Sequence, residues 1–203
     1  MKLSTSLFFG CIAVLFGITI VSSCTNTEPI EGSWQGNPTS LIIPYSADAT
    51  STTTLSFVPE GNGKKGDVDI SLVIDVRQAT DDIGNEAGEV PFEANVTATA
   101  TAKGSYIFDS DDDDDLIIVL DHSSFNVNVD PSGVMFGTNV TTGQPQAVLD
   151  SLSAATADKW RSIIGQSARA EMERYSKIED IKVHHGSMMS CEIDHRDFSF
   201  IKI

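Results

Sequence analysis

The chain has 203 residues, with 29 acidic side chains against 13 Lys and Arg, which gives a net charge of −16. This balance excludes a protein held on nucleic acid by charge, because phosphate binding needs clustered cationic side chains, and it disfavours attraction to an anionic bilayer. Hydrophobic residues make up 40% of the chain and charged residues 21%, which is typical of a globular domain and not of a disordered chain.

The chain begins with the layout of an export signal. Lys2 precedes a fifteen-residue apolar run, Leu7 to Val21, which is followed by the small polar residues Ser22 and Ser23. The run is shorter than the roughly 20 residues that a helix needs to cross a bilayer. We therefore predict that residues 1–23 are a signal peptide that is removed.

The residues that end this run, Val21-Ser22-Ser23-Cys24, resemble the lipobox of bacterial lipoproteins. The resemblance implies that Cys24 is acylated on sulfur and becomes the mature N-terminus, with residues 24–30 as a tether. Each buried CH₂ of an acyl chain contributes about 0.8 kcal/mol to membrane binding. One chain alone binds only reversibly, so a firm anchor needs more than one. The implied location is the Gram-negative cell envelope, lipid-anchored to the outer membrane on its periplasmic or surface face. Ordinary signal-peptidase cleavage after Ser23 is the alternative.

Cysteine usage leaves no pair for a structural disulfide. Cys11 leaves with the signal peptide and Cys24 carries lipid, so Cys191 is alone in the mature chain. Alternation places Cys191 on the same face as Met189 and Ile193. We expect a buried, unreactive thiol, because reactive thiols lie in exposed, cation-rich settings.

Period-two alternation dominates the chain after the tether and predicts antiparallel strands. Residues 53–57 and 68–76 alternate around a Gly-rich break at 59–66, as in a hairpin with a long loop, and an acidic loop follows at 80–88. Residues 92–103 alternate most regularly, and their inner face is mostly alanine, which suggests close approach of another element or an open lumen. Further strands are predicted at 106–108, 116–120 and 125–129.

The hydrophobic period changes near Pro145. Apolar residues then recur at three- and four-residue spacing as far as about Tyr175, which predicts a helical region over 145–175, as one helix or as two broken near 153–156. Three final strands are predicted at 178–185, 188–194 and 198–203.

Short strands in sequence order with one helical insertion predict the fold class. We expect a mainly β protein, an antiparallel up-and-down barrel of about 8–10 strands, with the helical region before the last three strands. Residues 31–203 form a single domain in this interpretation. Closing the sheet removes its exposed edges, and a barrel of this size either fills its interior or holds one small ligand. A two-sheet β-sandwich is the alternative.

A short motif, Gly32-Ser33-Trp34 preceded by Ile30-Glu31, opens the first predicted strand. It is similar to the G-x-W opening of lipocalins and the wider calycin group. The resemblance implies a lipocalin-like or calycin-like β-barrel in which Trp34 plugs the closed end and an Arg from the last strands packs over it, with Arg196 in the matching region. The ligand-lining residues that this interpretation predicts are Trp34, Phe57, Phe92, Tyr106 and Phe125.

No constellation in the sequence indicates catalysis, a metal or a cofactor. The acidic segment Asp109 to Asp115 lacks the glycine and the final glutamate of an EF-hand loop and joins two strands, so it predicts a solvated turn. The neighbours His184 and His185 point to opposite faces of a strand, which prevents joint chelation. We therefore expect a protein that is not an enzyme and uses no metal or cofactor.

These features predict an envelope lipoprotein that associates with the membrane through its N-terminal lipid, binds a small apolar or amphipathic ligand, and has no nucleic-acid partner. The alternative is a surface interaction module, either adhesin-like or pilus-like or glycan-binding. In a pilus-like assembly, Phe198 to Ile203 would serve as a donor strand. Glycan binding calls for exposed aromatic residues, whereas Trp34 and Trp160 fit core positions.

Overall fold

The structure is a computed structural model and describes residues 30–80, 93–111 and 114–203. The predicted signal peptide, Cys24 and all of the tether except Ile30 lie outside these residues, as do most of the predicted loop at 80–88 and Phe92. Within the described ranges the strands are β1 Gly32–Gly36, β2 Thr39–Ser40, β3 Asp48–Glu60, β4 Lys65–Thr80, β5 Glu93–Phe108, β6 Leu116–Phe136, β7 Lys177–His184, β8 Met188–Ile193 and β9 Arg196–Lys202. The helices are α1 Thr138–Thr141 and α2 Gln146–Glu173, and a 3-10 turn, Arg174–Ser176, follows α2.

Hydrogen bonds join all nine strands into one antiparallel sheet that closes on itself. The order is β1-β9-β8-β7-β6-β5-β4-β3-β2, and β1 also pairs with β3. Trp34 in β1 therefore lies opposite Leu55 of β3 on one side and Lys202 of β9 on the other. Because β2 pairs with β3 farther along the same strand, β1 and β2 act as two segments of one interrupted strand. This closed, barrel-like ring favours the predicted barrel over the sandwich, in which strands divide between two sheets.

Alternating polarity explains why these segments are strands. In β3 and in most of β5 every second side chain is buried, and the intervening side chains are more exposed. The predicted hairpin at 53–57 and 68–76 is the β3–β4 pair, joined through turn residues 61–64. The buried residues form one cluster, and the largest fully buried side chains include Trp34, Trp160, Tyr175, Phe57 and Phe200.

Two pairs of predicted strands are single longer strands. Residues 92–103 and 106–108 were separated in the prediction by Gly104, but β5 runs through it. A Cβ at Gly104 would lie 2.6 Å from the carbonyl oxygen of Val119, so glycine is required there by the close approach of β6. Residues 116–120 and 125–129 both belong to β6, because a register shift opposite Thr101 and Lys103 absorbs the polar residues between them.

Helix α2 packs against β6, whose ladder with β7 is short. Among the described residues, the β6–β7 ladder consists of Leu116 opposite Ile178 and Ile117 opposite Lys177. α2 packs against β6 and β5, as one continuous helix. The predicted helical region over 145–175 and its position before the last three strands are confirmed. The buried stripe of α2 recurs at the helical period and consists of Thr156, Ala157, Trp160, Ile164, Ala168, Glu171 and Met172.

The alanine face of β5 provides room for this helix. Ala98, Ala100 and Ala102 are all buried, and Ala102 and Met172 of α2 line the same small cavity. Of the two explanations for the small side chains, close approach of another element is the one observed. None of the described helices combines the length and the apolar character needed to span a membrane.

Candidate ligand-binding site

Trp34 lies where β1 closes the ring. Its side chain is fully buried, and its Nε1 donates a hydrogen bond of 2.6 Å to the carbonyl oxygen of Ile30. The Nζ atom of Lys202 lies 5.2 Å from the centroid of the indole, within the range of a cation–π interaction. The cation over Trp34 is therefore Lys202 and not Arg196, because Lys202 lies directly opposite on β9 whereas Arg196 begins that strand.

Phe57 and Tyr106 belong to an edge-to-face aromatic group. Their ring centroids are 5.3 Å apart at 86°, and Phe108 lies 6.3 Å from Tyr106 at the same angle. The hydroxyl of Tyr106 donates a hydrogen bond of 3.4 Å to the carbonyl oxygen of Gly63. Burial raises the pKa of Tyr106 above its usual value, and the carboxylates of nearby glutamates add to this shift. Both predicted ligand-lining residues are thus packed into the core in this conformation.

Phe125 lies apart from that group, beneath α2. The guanidinium carbon of Arg169 is 4.2 Å from the centroid of its ring. Phe125, Arg169, Ala102 and Met172 contribute to a cavity of about 10 Å³, a volume that suits a single water molecule. Phe92 lies outside the described residues. A ligand-binding role for the five predicted lining residues, Trp34, Phe57, Phe92, Tyr106 and Phe125, stays a prediction.

Tyr175 places a polar contact inside the ring. Its hydroxyl lies 2.8 Å from Oγ1 of Thr53 on β3, and both side chains are buried. Because β3 and β7 are not neighbours in the sheet, this hydrogen bond ties the chain between α2 and β7 to a distant strand. Burial raises the pKa of Tyr175 to about 12.

A groove of about 450 Å³ lies between the C-terminal half of α2, the residues that follow β2 and the start of β9. Leu41, Ile42 and Ala170 provide apolar lining. Ile42 is 89% exposed, so this groove offers apolar surface that a ligand reaches without displacing the core. None of the predicted lining residues contributes to the groove.

Two arginines give the groove its charge. Arg174 binds the buried carboxylate of Glu171 at 2.9 Å and the exposed carboxylate of Asp194 at 2.7 Å. Its hydrogen bonds to Asp194 and Glu171 raise its pKa above the usual value. Arg196 also lines the groove, and its side chain forms no ion pair within the described ranges. Arg196 is therefore available to an anionic group in a chain that is otherwise strongly acidic.

The donor atoms of Glu179, Glu192 and His195 lie within 4.8 Å of one another. Lys177 binds Glu179, and Nδ1 of His195 lies 3.3 Å from Oε1 of Glu192. Lys177 also holds Asp115, the last residue of the acidic turn, at 3.1 Å. Each side chain of this cluster thus has a protein partner, as in an ion-pair network.

Cys191 is buried in β8, as its alternation with Met189 and Ile193 predicts. Burial raises the pKa of its thiol to about 12. Because the thiolate is the nucleophile, the folded protein holds Cys191 in its unreactive form at neutral pH.

We expect iodoacetamide at pH 8 to leave Cys191 unmodified in the folded protein and to alkylate it fully in denaturant. Stability is also expected to fall above about pH 9, because the thiol of the unfolded chain ionises near its ordinary pKa while the folded thiol stays protonated up to about pH 12. Peptide mass spectrometry reports the alkylation, and urea unfolding between pH 8 and 10.5 reports the stability. Rapid alkylation of the folded protein would show that β8 does not bury this thiol.

In comparison with known proteins, no family model, curated protein or solved structure matches the chain.

Proposed function

We propose that this protein is a non-enzymatic lipoprotein of the Gram-negative cell envelope, anchored by lipid on Cys24. The observation that carries this proposal is the sequence Val21-Ser22-Ser23-Cys24 directly after a fifteen-residue apolar run. The described residues begin at Ile30, six residues after Cys24, and this spacing fits a short tether between lipid and domain. Cys191 is buried in the fold and does not compete with Cys24 for the lipid.

Substituting Cys24→Ser tests the anchor. In a Gram-negative host supplied with an alkyne fatty acid, we expect the parent protein to incorporate the label, and the variant to lose it and to retain its signal peptide. Cys191→Ser is the matched control, because it removes a cysteine that the fold buries, and it should incorporate label normally. Ordinary secretion would be indicated instead if the parent incorporates no label and the Cys24→Ser variant is still cleaved after Ser23.

We further propose that the domain binds a small amphipathic ligand with an anionic group, and we assign it to the groove beside α2 and not to the lumen. Two features support this site. Ile42 offers accessible apolar surface, and Arg196 offers a cation without an ion-pair partner in the described part of the chain. Trp34, Phe57 and Tyr106, in contrast, are almost completely buried.

A fluorescent fatty-acid analogue is a suitable probe for this groove. We expect saturable binding that Arg196→Glu weakens by at least about tenfold, because a hydrogen bond to a charged group contributes about 1.5–3 kcal/mol. Lys103→Glu makes the same charge change on β5 and should bind the probe as the parent does. Equal affinities of the two variants, or no saturable binding by the folded parent, would contradict this assignment.

The alternative of a surface interaction module has weaker support. Strand β9 pairs with β8 on one edge and β1 on the other, so the proposed donor strand at Phe198 to Ile203 is already part of the ring. Trp34 and Trp160 are buried and offer no exposed indole to a glycan.

A further inference from the structure

The chain enters the described domain beside the end of β9. Ile30 accepts the hydrogen bond of the Trp34 indole, and the backbone N–H of Ile203 donates a hydrogen bond of 2.9 Å to the carbonyl oxygen of Ser33. The entry point of the chain and its last residue therefore lie on the same part of the surface.

Exposed apolar side chains cluster at this place. Met188 and Ile201 are cross-strand partners on β8 and β9, and Ile203 follows Ile201 by two residues. The three side chains are 43%, 60% and 68% exposed. We call Met188, Ile201 and Ile203 the entry face. Ile203 lies one residue beyond β9, and its hydrogen bond to Ser33 continues the pairing with β1. Residues two apart on an extended chain point to the same side, so Ile201 and Ile203 turn away from the core together.

The surroundings of the entry face carry cationic and titratable groups in a chain whose net charge is −16. Lys202 lies between the two isoleucines, and its backbone N–H donates a hydrogen bond of 2.9 Å to the carbonyl oxygen of Ser187. His184, which pairs with Met188, and His185 lie at the turn before β8. Glu31 is the acidic neighbour along the chain. The acidic residues of this strand pair, Glu192 and Asp197, lie opposite each other at its other end, four residues from Met188 and Ile201, so these carboxylates lie away from the proposed contact with an anionic surface.

Tether length decides what lies near this face. Cys24 and Ile30 are six residues apart, and a fully extended chain spans at most about 3.6 Å per residue, which limits their separation to about 20 Å. A lipid on Cys24 therefore holds the entry point close to the headgroups. At that distance the bilayer is present at a high effective concentration, so a small apolar patch is sufficient for docking.

We propose that Met188, Ile201 and Ile203 form a membrane-docking surface that seats the barrel-like domain on the lipid bilayer. This inference rests on the proposed anchor at Cys24. The partner is the interfacial layer of the membrane in which that lipid is embedded, and docking orients the groove beside α2 relative to the bilayer.

Site-specific fluorescence in vesicles tests this inference. The full chain carrying Ile201→Cys is expressed in a Gram-negative host, purified from its membranes, labelled with an environment-sensitive nitrobenzoxadiazole dye, and reconstituted into vesicles of phosphatidylethanolamine and phosphatidylglycerol. Cys191 is buried, so the dye reports the introduced residue. Val119→Cys on β6 is the matched control, because its 63% exposure is close to the 60% of Ile201. Met188→Cys provides a second probe of the entry face.

We expect quenching by lipids with a spin label near the headgroup to be at least about twofold stronger at residues 201 and 188 than at 119, because interfacial contacts bury side chains by several ångströms. Mass spectrometry of the same samples reports acylation of Cys24 separately. Equal quenching at the three positions in an acylated protein would overturn the docking surface and leave the anchor intact. A blue shift at 201 without lipid quenching would assign the face to a second copy of the chain, and an unacylated Cys24 would overturn both proposals.

Discussion

Replacing Trp34 with alanine is expected to lower the free energy of unfolding by about 3–5 kcal/mol. The indole is fully buried between β3 and β9, at the strand that closes the ring. Its removal leaves a cavity that neighbouring strands cannot fill, deprives the carbonyl oxygen of Ile30 of its donor, and removes the ring beneath Lys202. Three favourable interactions are lost with one side chain.

Urea unfolding of the purified protein measures this effect. Trp34→Phe retains an aromatic ring and loses the Nε1 donor, so its cost should be smaller and should include about 1–3 kcal/mol for the unpaired carbonyl. Val119→Ala, on the exposed face of β6, should change stability by less than about 0.5 kcal/mol. If Trp34→Ala costs no more than Val119→Ala, then Trp34 does not hold the ring closed.

Replacing Tyr175 with alanine should cost a similar amount, about 3–5 kcal/mol, because it removes a large buried side chain from inside the ring. The loss includes the hydrogen bond to Thr53, which links the end of α2 to β3. We therefore expect this substitution to loosen the packing of α2 as well as to lower stability. Hydrogen exchange along α2, measured beside urea unfolding, reports this local effect.

A double-mutant cycle isolates the hydrogen bond from the packing. Tyr175→Phe and Thr53→Val each leave one buried hydroxyl unpaired and should each cost about 1–3 kcal/mol. The double variant removes both hydroxyl groups, so its cost should fall below the sum of the single costs by at least about 0.5 kcal/mol. Strict additivity would mean that the two hydroxyls do not interact in solution.

Local patterns in the sequence predicted most of the long strands and the helix α2, but not β2 or α1. In β4 the two faces differ so clearly in polarity that alternation alone identifies the strand, and the change of period after Pro145 identifies α2. In the first half of β3 both faces are polar, since Ser51 and Thr53 are buried. Closure of the ring is different, because it depends on β1 reaching β3 and β9 at once. The cation that lies over Trp34 depends on this register. Lys202 can be identified as that cation only after β9 is aligned with β1.

The candidate site was less predictable than the fold. Alternation shows that Phe57 and Tyr106 point inward, but it does not tell whether the interior is open or filled by other side chains. The hydrogen bond between Thr53 and Tyr175 joins residues 122 positions apart. The groove likewise combines segments near residues 41, 170 and 196, and the sequence offers no local pattern that brings these three segments together.

The most direct test of the proposed lipoprotein is the mass of the N-terminal peptide of the mature protein isolated from the cell envelope. We predict that this peptide begins at Cys24 and carries a thioether-linked diacylglyceryl group and an amide-linked acyl chain. A mature peptide that begins at or near Cys24 with an unmodified thiol, or a chain that retains residues 1–23, would contradict the lipid anchor.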